Sequence, residues 1–228
     1  MSPNNIAEDT ASHILTLLKK DADFHNHCTQ EVLKTGSTIP LSGLNNNLYL
    51  IENGFLSCLR DIGLDEHLHM LLQPGDFSSL PSDSEEIPEI TECKALTEVT
   101  YWKIDTAFFK KRMSREDPDG EIFAKYATQS RKNIEEHFLM DRMHPEERIY
   151  FSLRLMMQLS SPISTNVTQL PSFVTNETIA EYALTPANYT LNILQKLQEE
   201  QILSIGVDHW LIIDVAAFHT ILQAKNIL

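Results

Sequence analysis

The sequence predicts an α+β chain with an N-terminal β-roll of jelly-roll kind, a long helix and a C-terminal winged helix-turn-helix. Three observations carry that prediction. Short alternating or apolar runs, punctuated by turn-formers every roughly 8 to 12 residues, fill the stretch from Gln30 to Asp105. One helical stripe then runs from Asp119 to Met143. Finally, two helical segments meet at Thr185-Pro186 and are followed by a pair of short apolar runs around a turn.

Taken in order, Ile14, Leu15, Leu17 and Leu18 fall at helical spacing behind Asp9 and Thr10, and Lys19-Lys20 suits the negative end of a helix dipole. A short amphipathic helix is expected there. The strand candidates are Glu31–Leu33, Leu48–Ile51, Phe55–Leu59, His67–Leu72 and Thr97–Ile104, separated by Gly36, Ser42-Gly43, Glu52-Asn53-Gly54, Asp61-Ile62-Gly63 and Pro74-Gly75-Asp76. The long helix carries Phe123, Ala127, Ser130, Ile134 and Phe138 on one stripe. So narrow a seam over so long a helix suits a parallel partner helix from a second subunit, the alternative being packing on its own chain. His144-Pro145 interrupts the helical run, because proline disfavours α geometry in the residue before it and suits the first turn of a new helix. The next helix, Glu146 to Leu159, is strongly apolar, and a loop over Ser160–Thr168 follows.

Composition sets the function classes. The 228 residues leave room for two packed cores, and 42% hydrophobic with 22% charged residues is ordinary for a folded protein. Thirty-two Asp and Glu against 18 Lys and Arg give a net charge of −14, which argues against broad adhesion to nucleic acid or anionic lipid but not against a locally neutral contact surface. No apolar run approaches the roughly 18 to 20 residues of a membrane span, and the first twenty residues do not read as a secretion signal, so a cytoplasmic chain with no membrane partner is expected. Cys28, Cys58 and Cys93 are odd in number and widely spread, suggesting neither a disulfide framework nor a cysteine zinc site. The pairs His25/His27 and His67/His69 are two ligands each, too few for a metal site, and none is expected. No Ser/His/Asp, phosphate-loop or metal-histidine motif stands at working spacing, so the chain is not expected to be an enzyme. The neighbouring carboxylates Glu146-Glu147 and Glu199-Glu200 read as solvated faces.

The last sixty residues are the sharpest signal. Val174 to Ala183 begins with a capping residue and continues in helical rhythm, breaks, and resumes as Ala187 to Leu197 with Thr185 as expected cap and Pro186 in the first turn. Ile179, Ala180, Leu191, Leu194 and Leu197 are expected to point inward. The runs Gln201–Ile205 and His209–Ile213 around Gly206-Val207-Asp208 then predict a wing.

From about residue 15 onward the chain resembles the Crp/Fnr family of bacterial transcription regulators. The resemblance rests on the order and spacing of Leu48-Tyr49-Leu50-Ile51-Glu52-Asn53-Gly54, Leu72-Gln73-Pro74-Gly75-Asp76-Phe77, Glu147-Arg148-Ile149, Thr178-Ile179-Ala180-Glu181-Tyr182 and Ile193-Leu194-Gln195-Lys196-Leu197. It implies a sensor β-roll like a cyclic-nucleotide-binding domain over residues 1–117, a dimerisation helix over 118–143 and a DNA-binding winged helix over 144–228, acting as a homodimer on double-stranded DNA. RNA polymerase is an implied partner if the protein activates.

Departures from the family pattern narrow the expectation. Members that bind cyclic nucleotides hold the ribose with Gly-Glu after the Gly-Asp-Phe turn and the phosphate with a later Arg-Ser. This chain has Ser78-Ser79 in the first place and falls near Glu89 and Ile90 in the second, where a carboxylate would repel a phosphate. The acidic run Asp83, Glu85 and Glu86 adds to this. An iron–sulfur cluster is not expected, since Cys28 stands alone near the N-terminus, nor is haem, since Pro81 occupies the ligand position. The expected effector is an unidentified small molecule lined by Phe77, Ser78, Ser79 and Leu80, with Lys132 or Asn133 from the helix, although ordinary core and loop roles are open for all of these. In the reader helix, Ala187, Asn188 and Asn192 replace the family's Arg, Glu and Arg. Asparagine pairs with adenine N6 and N7 and alanine touches a thymine methyl, so a site leaning to A·T is expected. Tyr189 would reach bases or phosphate, and Thr175, Thr185 and Lys196 complete the expected DNA contacts. From His144 on only Arg148, Arg154, Lys196 and Lys225 are positive, against eight acidic residues. A module of the same fold that no longer reads DNA is the alternative.

Overall fold

A computed structural model describes residues 3–39, 46–63, 66–77, 90–140, 142–207 and 209–227. The chain divides into two compact units, Met1–His137 and Phe138–Leu228. The first contains α1 (Pro3–Leu18), α2 (Phe24–His27), β1 (Cys28–Leu33), β2 (Thr38–Ile39), β3 (Asn47–Asn53), β4 (Leu56–Gly63), β5 (Glu66–Leu72), β6 (Ile90–Ala95), β7 (Val99–Asp105), α3 (Thr106–Glu116) and most of α4 (Glu121–Met140). The second contains α5 (Pro145–Gln158), β8 (Ser161–Pro162), β9 (Thr168–Gln169), α6 (Asn176–Tyr182), α7 (Ala187–Glu199), β10 (Leu203–Ile205), β11 (Trp210–Ile212) and α8 (Val215–Ala224).

In the N-terminal unit two antiparallel sheets form, in the orders β1-β7-β3 and β2-β6-β4-β5. In the first sheet β3 and β7 carry buried apolar residues on both faces, which is why they read as near-continuous hydrophobic runs, whereas β1 is mostly exposed. Period-2 alternation sends Tyr49, Ile51, Val99 and Tyr101 to the interior shared with Leu56, Cys58, Leu72 and Cys93. Leu48, Leu50, Trp102 and Ile104 point the other way and are covered by Ile14, Leu15, Leu17 and Leu18 of α1 and by Phe108 and Phe109 of α3. The register seals each face, with Ile51 opposite Tyr101 and Leu50 opposite Trp102. Gly54 turns β3 into β4 at φ +86°, and a Cβ there would stand 2.2 Å from the Glu98 carbonyl oxygen, so only glycine fits.

One expectation is corrected in this unit. The spread of the cysteines predicts no disulfide, yet Cys58 and Cys93 lie directly opposite each other on β4 and β6 and are joined. Their Cα atoms are 4.1 Å apart, the close spacing of a non-hydrogen-bonded antiparallel pair, and this proximity comes from register, to which sequence separation is blind. Cys28 is the remaining buried free thiol, and burial pushes it up to about 12. The helical region after Asp105 comprises α3 and then the long helix α4. Asp105 caps α3 through the Phe108 amide at 2.7 Å, and the Asp117 carboxylate then accepts from the amides of Glu121 and Ile122 at 3.0 and 2.9 Å to start α4.

Within the C-terminal unit α5 starts at the proline that interrupts the helical run: His144 is its N-cap, Pro145 its first residue, and the His144 amide donates to Glu147 at 2.9 Å. Ile149, Leu153 and Met156 of α5 are fully buried, as are Ile179, Ala183, Leu194, Ile212, Phe218 and Leu222 of the same unit. The expected loop over Ser160–Thr168 contains a small hairpin, so the wing is a four-stranded sheet in the order β10-β11-β9-β8. No helix among the described residues is long and apolar enough to cross a membrane.

Three left-handed residues that are not glycine, Leu184, Gln201 and Asn226, each follow a helix. At Gln201 (φ +58°) the amide of Ile202 reaches back to the Leu197 carbonyl at 2.9 Å, the Schellman arrangement that favours glycine. Gln201→Gly is therefore expected to stabilise the C-terminal unit by about 1 kcal/mol. Urea unfolding followed in that unit checks this, and an unchanged or lower midpoint would refute it.

Candidate nucleic-acid interface

Helices α6 and α7 form the helix-turn-helix read from the sequence. The Thr175 side chain caps α6, accepting from the Thr178 amide at 3.1 Å, while the Thr178 hydroxyl donates to the Phe173 carbonyl at 2.9 Å. The helix ends at Tyr182, and the Thr185 amide returns to the Ala180 carbonyl at 3.0 Å, with Leu184 at φ +50° making the corner. The Asn176 side-chain amide reaches the Ala187 carbonyl at 3.4 Å, tying the start of α6 to the start of α7.

The cap of α7 differs from expectation. Pro186, not Thr185, is the N-cap, and no side chain caps the first turn, which leaves the amides of Ala187, Asn188 and Tyr189 without a side-chain acceptor. Thr185 turns inward because the fully buried Thr190 needs a partner: the two hydroxyls are 2.7 Å apart, and Thr190 also reaches the Pro186 carbonyl at 3.2 Å.

The inner face of α7 is Thr190, Ile193, Leu194 and Leu197, and this phase corrects one expectation. Leu191, expected inward, sits one residue, about 100°, off that face and is 39% exposed. Ala187, Asn188, Tyr189, Asn192 and Lys196 are all exposed on the outer side, so five of the seven expected DNA contacts lie together on one helix surface. Thr175 is exposed but serves as a cap, and Thr185 is spent on Thr190. Sequence reading passes over Leu191 and Gln195 as contacts, although Asn188, Leu191, Asn192 and Gln195 fall at i, i+3, i+4 and i+7, spacing that marks one face.

Of the four cations from His144 on, two are held by internal partners. Arg154 donates to the Ile227 carbonyl at 3.2 Å and lies over the Phe151 ring. Lys225 pairs with Glu146 at 2.8 Å, a bond that holds the Glu146 carboxyl below its ordinary range. Arg148 is half-buried, with its Nε enclosed and lacking a hydrogen-bond partner. Lys196 is the exposed member of the four. The described wing-tip residues Gly206, Val207 and His209 add no fixed cation.

The other expected sites are less complete. Phe77 is buried, bridging to Leu50 and packing edge-on to Phe109 with ring centres 5.8 Å apart, the core alternative for that residue. Ser78, Ser79 and Leu80 lie outside the described residues, as do Pro81 and the acidic Asp83, Glu85, Glu86 and Glu89. Lys132, Asn133, Ser130 and Ile134 are on α4, and their side chains lie outside the described ones. Of the expected dimer stripe, Phe123 is half-buried against the core of its own unit, Ala127 is half-buried, and Phe138 is 47% exposed beside Leu139 at 51%. Among the described residues no group of three His, Cys, Asp or Glu side chains is placed to hold a metal ion.

No protein-family model matches the chain, and no curated protein matches it in sequence. Solved structures do match. A cyclic nucleotide-binding domain containing protein from Listeria monocytogenes EGD-e is 17% identical with a TM-score of 0.74, the match covering 90% of this chain and 98% of that one. FixK2 from Bradyrhizobium japonicum is 15% identical with a TM-score of 0.64, covering 85% of this chain and 96% of that one. A transcriptional regulator of the CRP/FNR family from Thermus thermophilus is 15% identical with a TM-score of 0.61, covering 86% of this chain and all of that one. The chain has the α+β fold of the CRP/FNR transcriptional regulators, β-roll and winged helix-turn-helix both included.

Proposed function

We propose that the chain is a homodimeric, sequence-specific DNA-binding transcription regulator of the Crp/Fnr family and not an enzyme. The observation that carries this reading is the outer face of α7, where Ala187, Asn188, Tyr189 and Asn192 are exposed on a helix whose inner face is sealed. Asparagine pairs with adenine and alanine meets a thymine methyl in the major groove, while the uncapped first-turn amides of α7 suit a phosphate. The effector we propose is a small molecule other than a cyclic nucleotide, with no haem or iron–sulfur cluster, because the sequence falls near Glu89 and Ile90 where family members that bind cyclic nucleotides carry the phosphate-holding Arg-Ser. The moving joint is at His144-Pro145, and RNA polymerase is the further partner if the protein activates. A regulator of this kind works in the cytoplasm, with the chromosome.

The test is selection of bound duplexes from a random DNA pool by the full-length protein, at low and at physiological salt. Enrichment of an inverted repeat, with half-sites about one helical turn apart, is the expected result. With Lys196 as the exposed cation on each reader helix, two per dimer, log affinity is expected to fall with log salt at a slope of about −2. A slope near −10 would place the phosphate contacts on residues outside this face. Failure to enrich any duplex favours the module that no longer reads DNA, a reading supported by the internal pairing of Arg154 and Lys225.

A further inference from the structure

The packing of α7 leaves Leu191 outside its buried inner face. Thr190, Ile193, Leu194 and Leu197 fill the inner face, and Leu191 stands outside it at 39% exposed. A single exposed leucine is ordinary on a protein surface. Here, however, three of the eight large exposed apolar side chains among the described residues, Leu184, Tyr189 and Leu191, fall within eight residues of each other in the helix-turn-helix. Leu191 also shares its stripe with Asn188, Asn192 and Gln195, all exposed, and no charged side chain occurs between Ala187 and Gln195.

The groove chemistry that complements such a stripe is narrow. Every base pair offers polar atoms in the major groove, but the only apolar group there is the C5-methyl of thymine. An amide donates and accepts at once, which is the pattern of adenine N6 and N7. The strong guanine reader is a bidentate arginine or lysine, and this stripe has neither. Few phosphate contacts are available to supply affinity in their place, since Arg154 and Lys225 are held by their own unit.

We infer that Leu191 is a specificity-determining residue that packs on the C5-methyl of a thymine, and that Gln195, one turn along, pairs with an adenine edge, so that each half-site is a run of A·T pairs. This rests on the DNA-reading function proposed above. It extends it to two positions outside the three, Ala187, Asn188 and Asn192, that correspond to the family's own base-reading positions.

The experiment uses the duplex enriched by the full-length protein. Each thymine of a half-site is replaced in turn by deoxyuridine, which removes the C5-methyl and nothing else, and affinity is read by fluorescence anisotropy for the wild-type chain and for Leu191→Ala. One thymine per half-site is expected to lose about four-fold in affinity on becoming uracil, the size of one apolar carbon withdrawn from a contact. Leu191→Ala is expected to bind both duplexes equally, near the wild-type affinity for the uracil form, and Gln195→Ala to relax selection at the neighbouring A·T pair. Because Leu191 is exposed, the variant keeps the wild-type unfolding midpoint, which is measured alongside. Indifference of the wild type to uracil at every position overturns the inference, as does a uracil penalty that survives in Leu191→Ala, or enrichment of a G·C-rich half-site. Each of those results leaves the DNA-reading function standing, whereas a pool from which no duplex is enriched removes both.

Discussion

Removing the Cys58–Cys93 cross-link is expected to lower the stability of the N-terminal unit by about 3–4 kcal/mol. The two residues are 35 apart in sequence, and the loop they close holds β5 and the Gly75-Asp76-Phe77 turn. Reduction returns that loop's freedom to the unfolded chain while the native state loses little, since both side chains are fully buried and two thiols pack there as small apolar groups. Urea unfolding with and without reductant measures the difference, and Cys58→Ala/Cys93→Ala checks it without chemistry on the thiols. Thiol counting by alkylation gives an independent readout. The oxidised chain, denatured without reductant, should yield one reactive thiol, Cys28, and after reduction three. In the folded protein at pH 8 Cys28 should stay unlabelled, because burial holds its thiol up to about 12. Three thiols without reductant, or a stability loss below about 1 kcal/mol, would sink the prediction.

What was legible in the sequence was whatever local periodicity and punctuation encode. Ile14, Leu15, Leu17 and Leu18 read as one buried helical face, and all four are buried. The strands at Leu48–Ile51 and Val99–Ile104 were visible because both faces of that sheet are covered, so apolar residues run almost without a gap. The break at His144-Pro145 was visible because proline acts on backbone geometry directly. β6 was not: Thr91-Glu92-Cys93-Lys94-Ala95 has alternation but few bulky apolar residues, and its strand character comes from lying between β2 and β4. α8 carries a local signal of its own, with Asp214 capping through the Ala217 amide at 2.8 Å and Phe218 and Leu222 one turn apart inside. The disulfide depends on register between strands far apart in sequence, which no local pattern carries. At the candidate interface the helices and five outward residues were legible. The phase of α7 was not, because Ile193, Leu194 and Leu197 with either Thr190 or Leu191 make comparable stripes. Only the Thr185–Thr190 hydroxyl pair, a tertiary contact, lets a threonine take the inner place.

Asp76 is expected to make the N-terminal unit lose stability as pH rises from 5 to 8, against the usual direction for a carboxylate. It is 5% exposed, and its carboxylate accepts from the Gln73 amide at 3.0 Å. Burial pushes the carboxyl up from an ordinary 3.8 to about 7, outweighing the pull of that amide the other way. Between those values the folded chain holds a proton that the unfolded chain releases, so the stabilising contribution is complete below about pH 4 and is lost as pH rises through about 7. The loss is on the order of 2–4 kcal/mol. Glu146 in the C-terminal unit has the opposite sign, since Lys225 holds its carboxyl below the ordinary 4.5, so its contribution is present above that value and falls away only in acid. The slope between pH 5 and 8 should therefore appear in the N-terminal transition alone. Asp76→Asn keeps an oxygen for the Gln73 amide and removes the titration. The variant should match the wild type near pH 4, exceed it in stability at pH 8, and lose the slope between. Urea unfolding at pH 5 and pH 8 decides the matter: a variant weaker than the wild type at pH 8 would mean that the carboxylate is charged and paired in the folded protein.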